Sequence, residues 1–354
     1  MGHDKLRKFA ENETFSCLLQ PSAQELLADG YFHLRDHVVK GHWEDFFFSL
    51  VSTHSAPLRG NLPPETSCCA GPFPLSPDRL SERTLSANRP SASGPLPLTS
   101  RGWLRFPEAV ADSGPLNVEN NKQSESDCIP ERKSIVLELG CGKGEYTIAL
   151  AERNPERNYI GVDIKGARLW KGAKYATEQR LPNVAFLRTR VEFITAFFAP
   201  GEVSEVWLTF SDPQYRSENS RLCSPLFLER YRSFLRPGGI VHLKTDSRFL
   251  HEYALAVCKC NNLQVLACTK DLYNTYDVVP EEVRAVQTFY EQLFLEQGYP
   301  ITYLSFVIDH EGPYVSPRDP EEFDSKAWRA AEGPRLLFGH DSAETRRQKL
   351  HAKL

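Results

Sequence analysis

The chain has 354 residues, 41% of them hydrophobic and 25% charged, which allows one large domain or two small ones around a sizeable core. A formal net charge of −4 excludes a global electrostatic case for nucleic-acid binding, so any such case must rest on local patches. No apolar run reaches ~18 residues and Met1 to Asn12 is charged rather than apolar, so neither a membrane span nor a secretory signal is expected.

Residues 1–48 read as an N-terminal arm. Its start is basic (Lys5, Arg7, Lys8), either a solvated tail or a functional arm. Its end is aromatic (His42, Trp43, Phe46, Phe47, Phe48) and is expected to dock on the main domain. Residues 49–133 are rich in Pro, Ser, Gly and Asn, and prolines from Pro57 to Pro97 interrupt any long element, so a mostly disordered insert is expected. From Ser134 to Ile308 apolar strand runs alternate with helical patterns. Strands are predicted over 135–139, 159–162, 185–187, 205–210, 240–243, 264–267 and 302–307. Helices are predicted over 145–153, 167–179, 225–235, 248–259 and 282–296. This alternation predicts an α/β fold, a doubly wound, mostly parallel sheet of about seven strands with helices on both faces. Residues 309–354 read as a polar tail, in which Asp341 and Glu344 resemble a helix-start capping box ahead of Arg346, Arg347, Lys349 and Lys353. The nine cysteines include no Cys-x-x-Cys pair, so reduced thiols in a cytoplasm, and no metal site, are expected.

The chemistry concentrates at Ile135 to Gly144, a buried-strand pattern running into Gly140, Gly142 and Gly144. Glycines there let the backbone approach a ligand closely. A dinucleotide fingerprint needs a further glycine at 145, where this chain has Glu145. With Glu138 before the turn as well, the site disfavours a pyrophosphate and fits a cationic ligand without phosphates, such as S-adenosylmethionine. Ligands on doubly wound sheets sit at the carboxyl ends of strands. Two further acids fall at such ends. Asp163 is able to accept both ribose hydroxyls of an adenosine or to cap the next helix. Asp212, in Phe210-Ser211-Asp212-Pro213-Gln214, is able to act in chemistry or to bond its own turn.

Five segments together resemble the tRNA (guanine-N7)-methyltransferases: Glu-Leu-Gly-Cys-Gly-Lys-Gly at 138–144, Val-Asp-Ile-Lys-Gly-Ala-Arg-Leu-Trp at 162–170, Trp-Leu-Thr-Phe-Ser-Asp-Pro-Gln at 207–214, His-Leu-Lys-Thr-Asp-Ser at 242–247 and Gln-Thr-Phe-Tyr-Glu-Gln at 287–292. The resemblance covers 134–308 and takes in Lys5 to Ala10 and Lys40 to Trp43. It implies a Rossmann-like methyltransferase fold that uses S-adenosylmethionine to methylate N7 of a variable-loop guanosine (guanosine 46) in tRNA, as a monomer or homodimer in the cytoplasm. Glu138, Gly140, Gly142, Gly144, Asp163 and Asp212 would bind the cofactor. Asp212 would lie between cofactor and guanine as the chief catalytic residue. Arg216, where the family usually has lysine, would contact tRNA with Asp246, Thr288 and Glu291, the last two sharing one helix face. Thr189 stands, followed by Arg190, where many relatives carry an acid near the adenine, and is retained as a cofactor-binding position. Ser211 replaces the family's usual proline. Lys5, Lys8, Lys165, Arg168, Lys171, Arg216 and Arg221 are candidate phosphate contacts. The competing readings are a methyltransferase with another acceptor and an inactive cofactor- or tRNA-binding scaffold.

Overall fold

The computed structural model describes residues 2–28, 33–55 and 133–332. The chain begins with α1 (Gly2–Asn12), β1 (Leu18–Leu19), α2 (Ala23–Leu26), the short pair β2 (Leu27–Ala28) and β3 (His33–Leu34), and α3 (Trp43–Ser55). After residue 132 come β4 (Ile135–Leu139), α4 (Glu145–Arg153), β5 (Asn158–Asp163), α5 (Gly166–Glu178), β6 (Val184–Arg188) and β7 (Val203–Thr209). The remainder is α6 (Pro225–Arg232), β8 (Leu235–Thr245), α7 (Arg248–Cys260), β9 (Val265–Thr269), α8 (Glu281–Ala285), α9 (Phe289–Glu296), β10 (Thr302–Val307) and α10 (Ser325–Glu332).

All five residues of β4 are buried, as its unbroken apolar run requires of a strand covered on both faces. It lies in an eight-stranded sheet of order β1-β6-β5-β4-β7-β8-β10-β9. Neighbours from β1 to β8 are parallel, and β10 runs antiparallel to β8 and β9. The winding reverses at β4: β5 and β6 follow on one side, β7 and β8 on the other. That reversal opens a crevice at the carboxyl ends of β4, β5 and β7.

The arm supplies the strand that raises the count from seven to eight. Leu18 and Leu19 pair with Phe186 and Leu187 of β6, a run too short to show any period in the sequence. The basic start does not hang free, because α1 packs on α5: the Asn12 amide donates to the Gly166 carbonyl at 3.0 Å and the Trp170 indole to Glu11 at 2.6 Å. The aromatic end docks through Trp43, which is fully buried, stacks on Phe198 and donates its indole N–H to the Phe197 carbonyl at 2.9 Å. Phe46 and Phe47 are buried beside it, while Phe48 stays exposed.

Four expectations need correction. The predicted helix over 225–235 ends at Arg232, and Leu235 already opens β8, ahead of the strand predicted from 240. Helix α3 runs on to Ser55, so residues 49–55 belong to it rather than to the insert; the insert from 56 to 132 lies outside the described residues. The predicted helix over 282–296 is two helices separated at Val286–Thr288. The tail is not uniformly polar: Tyr314 and Phe323 are buried, and Phe323 packs edge-on against Phe249 and Tyr253. The capping box at Asp341 lies outside the described residues.

Candidate active site

The glycine turn follows β4 directly. Gly140 and Cys141 donate their N–H groups to the Val162 carbonyl at 2.8 and 3.1 Å, tying the turn to the end of β5. Gly140, Gly142 and Gly144 all have positive φ. At Gly144 (φ +74°) a Cβ would also lie 2.4 Å from the Phe186 ring, so no side chain fits. A Cβ on Gly140 or Gly142 would meet nothing within 4 Å, so the backbone there faces open space.

Two acids buttress the turn from within. Glu138 is buried, and its carboxylate accepts from the Thr147 N–H at 2.8 Å and from the Thr147 and Thr209 hydroxyls. These donors favour the ionised form, yet burial outweighs them and raises its pKa from 4.5 to about 7. Asp163, also buried, accepts from the Gly142 N–H at 3.0 Å and the Lys165 N–H at 2.7 Å. It is not a helix cap, since the residue preceding α5 is Lys165. An ionised carboxylate offers about four acceptor positions, so Asp163 retains capacity for further donors. Thr189 is buried and follows β6 immediately.

On the other side of the crevice, Asp212 follows β7 on an exposed loop. One carboxylate oxygen accepts from the Gln214 N–H at 2.9 Å, forming the turn that its sequence allows. Phe210 and Gln214 on either side have φ of +49° and +47°, a costly conformation for side-chain-bearing residues, so the loop is held under strain around Asp212. Asp246 follows β8, half-buried, and Arg216 is exposed on the Asp212 loop. Glu138, Asp163, Asp212 and Asp246 thus all stand at the same end of the sheet.

The pair Thr288 and Glu291 is arranged otherwise than expected. Thr288 precedes α9 as its cap and accepts from the Glu291 N–H at 3.2 Å, while the Glu291 carboxylate accepts from the Thr288 N–H at 3.2 Å. Glu291 is fully buried, pairs with the Lys244 ammonium at 2.8 Å and accepts from the Tyr273 hydroxyl. Its carboxylate is enclosed by protein, so it orders α9 rather than meeting a substrate directly. Arg221 is corrected too: it is buried over the Phe249 and Tyr253 rings, at 4.8 and 4.3 Å, and is not available to a phosphate.

Sequence reasoning did not single out Thr147, Thr209, Lys244 or Tyr273. Lys244 is the most consequential. Its ammonium is fully buried and donates to the Val283 and Val286 carbonyls, both at 2.8 Å, and to Glu291. Burial moves its pKa below the usual lysine value. A charged residue inside the apolar run of β8 was the available signal, because a buried lysine needs a carboxylate partner.

The Methyltransf_4 family profile, a methyltransferase family, matches residues 132–304. A tRNA (guanine-N(7)-)-methyltransferase of Christiangramia forsetii is 54% identical over 177 residues, covering 49% of this chain and 78% of that protein. The chain belongs to the tRNA (guanine-N7)-methyltransferase family. A Bacteroides thetaiotaomicron member is 45% identical over 221 residues, covering 62% of this chain and 86% of its own length. Among solved structures, the 16S rRNA methyltransferase KamB overlaps at a TM-score of 0.39 and 18% identity, over 49% of this chain and 87% of that one, too low to bear on function. Among the described residues of this family member no helix is long and apolar enough to cross a membrane.

Proposed function

We infer that this chain is a tRNA (guanine-N7)-methyltransferase that draws its methyl group from S-adenosylmethionine. The carrying observation is the set of four carboxylates at the strand ends around an open glycine turn. Such a set of acceptors suits a cationic ligand: Asp163 retains acceptor capacity for ribose hydroxyls, and the backbone at Gly140 and Gly142 is bare where a ligand would lie. When bound, S-adenosylmethionine supplies an electrophilic methyl group on a sulfonium.

Guanine N7 carries an unprotonated lone pair, so attack needs no general base. What the protein supplies is alignment, which contributes up to roughly 7–11 kcal/mol in favourable cases. Asp212 is exposed, held by its own turn and strained on both sides, so its free oxygen is presented without reorganisation. It would accept from the N–H groups of guanine and stabilise the purine cation as charge arrives on the ring. Asp246, across from it after β8, and Thr288 are the further candidate substrate contacts, and Arg216 would meet the RNA backbone. Lys5 on α1, Lys165 just before the adjoining α5, and Arg168 and Lys171 on that helix are exposed cations able to meet phosphates. The expected compartment is the cytoplasm.

Labelled methyl transfer from S-adenosylmethionine to an unmodified tRNA transcript tests this reading. Transfer to tRNA, and none to bulk protein, is expected. Transfer to protein alone would move the chain to the other-acceptor reading, and cofactor binding with no transfer to the scaffold reading.

A further inference from the structure

Helix α9 uses only part of itself for folding. Glu291 and Phe294 are buried and the capping box fixes its start, yet Phe289 and Tyr290 in its first turn stay 53% and 44% exposed. Two adjacent aromatic side chains left in water contribute little to stability, since burial is what makes such residues stabilising. They are nevertheless held in position. The Phe289 N–H donates to Glu145, the first residue of α4, at 3.2 Å. Below them the Lys244–Glu291 ion pair locks the backbone. The two rings meet edge to face, with centroids 6.0 Å apart at 70°. Lys143, inside the glycine turn, lies 5.3 Å from the Phe289 centroid and 5.9 Å from that of Tyr290.

The position of this surface selects its occupant. Asp163 and Thr189, the candidate adenosine contacts, end β5 and β6 on one side of β4. The rings stand over the glycine turn itself, against Lys143 and beside Glu145, on a helix anchored from the β7 and β8 side. Lys244 of β8 anchors the segment from below, and Phe294 of α9 lies over Phe210, two residues before Asp212, with centroids 6.4 Å apart. An exposed aromatic pair with a cation against it matches a nucleotide: a flat base for the ring and a phosphate for the ammonium.

We propose that Phe289, Tyr290 and Lys143 form a stacking platform for an unpaired nucleotide of the tRNA, next to the guanine that is methylated. This rests on the tRNA methyltransferase reading. Stacking does not read sequence, so the platform holds the loop open beside the target whatever base stands there.

The test is binding of an unmodified tRNA transcript and, separately, of S-adenosylmethionine, to the full chain and to three variants. In F289A/Y290A tRNA affinity falls about 5- to 100-fold, in the range of lost base stacking, with cofactor affinity and the salt slope unchanged. The exchange F289Y/Y290F, which keeps two aromatic rings, retains affinity. In K143M the slope of log affinity against log salt is reduced by up to about 1. Unchanged tRNA affinity in F289A/Y290A overturns the platform, as does a parallel loss of S-adenosylmethionine, which would make the rings part of the cofactor site. A wild-type chain that binds cofactor but not tRNA overturns the functional reading itself.

Discussion

Glu138→Gln isolates the buried acid beneath the glycine turn. Burial outweighs the three donors to the carboxyl and raises its pKa from 4.5 to about 7 in the folded chain. A carboxyl with a raised folded pKa binds its proton more tightly when folded. Its contribution is therefore most favourable below pH 4.5, declines as pH rises towards 7, and is fully lost above that. The gap between the two values corresponds to about 3 kcal/mol. Glutamine fills the same space without a charge, and the hydroxyls of Thr147 and Thr209 can turn to suit it. Urea unfolding of both forms between pH 5 and 8 measures the difference. The variant gains on the wild type by up to about 3 kcal/mol as pH rises across this range. The same proton bears on ligand binding. A cation bound beside Glu138 would favour the carboxylate, so near neutral pH S-adenosylmethionine binding is expected to release a fraction of a proton. Calorimetry in two buffers of different ionisation enthalpy reads that release, which vanishes in the variant. Parallel pH–stability profiles in the two forms, with no proton released by either, would mean that burial does not hold the proton on Glu138.

Asp212→Asn keeps the acceptor that Gln214 uses, so it folds and binds S-adenosylmethionine normally, while kcat for tRNA methylation falls about 100- to 1000-fold; steady-state kinetics beside cofactor calorimetry separate the two. Gly144→Ala combines a left-handed backbone with a methyl pressed into Phe186, and thermal unfolding is expected to register a loss of about 2–5 kcal/mol. Glu205 behaves oppositely to Glu138. Its contacts to His242, Arg157 and Trp207 overcome burial and hold its pKa at about 2, so its stabilisation is full above pH 4.5 and is lost as pH falls towards 2. Acid unfolding of Glu205→Gln should lack that component.

The centre of the fold was legible because burial on both faces leaves a plain signature. The bounds of β4 and β10 match those read from the apolar runs alone, and the reversal of strand order follows from the alternation of strands and helices. The edges were not. Leu18 and Leu19 form a strand only because β6 offers an open edge, which no local pattern in the arm announces. The break between α8 and α9 has neither glycine nor proline to mark it. It is made by Lys244, which takes the Val283 and Val286 carbonyls that a continuous helix would have used. A local signal did exist, since Thr-Phe-Tyr-Glu is itself a capping-box pattern and marks a helix start at Thr288. At the site, Glu138, Asp163 and Asp212 were legible as acids at strand ends, and Asp246 only through the family resemblance. Thr147 and Thr209 were not, because a threonine in a helix or strand carries no mark of the carboxylate it serves. Arg221 resembled a surface cation for want of any signal that Phe249 and Tyr253 would enclose it.

Locating the transferred methyl group on the tRNA decides between the three functions. An unmodified tRNA transcript, and the same transcript with its variable-loop guanosine replaced by adenosine, are incubated with enzyme and labelled S-adenosylmethionine, then cleaved selectively at 7-methylguanosine. Label and cleavage at that one guanosine, both absent from the substituted transcript, are the predicted result. Equal labelling of the two transcripts, or label without cleavage, would contradict it.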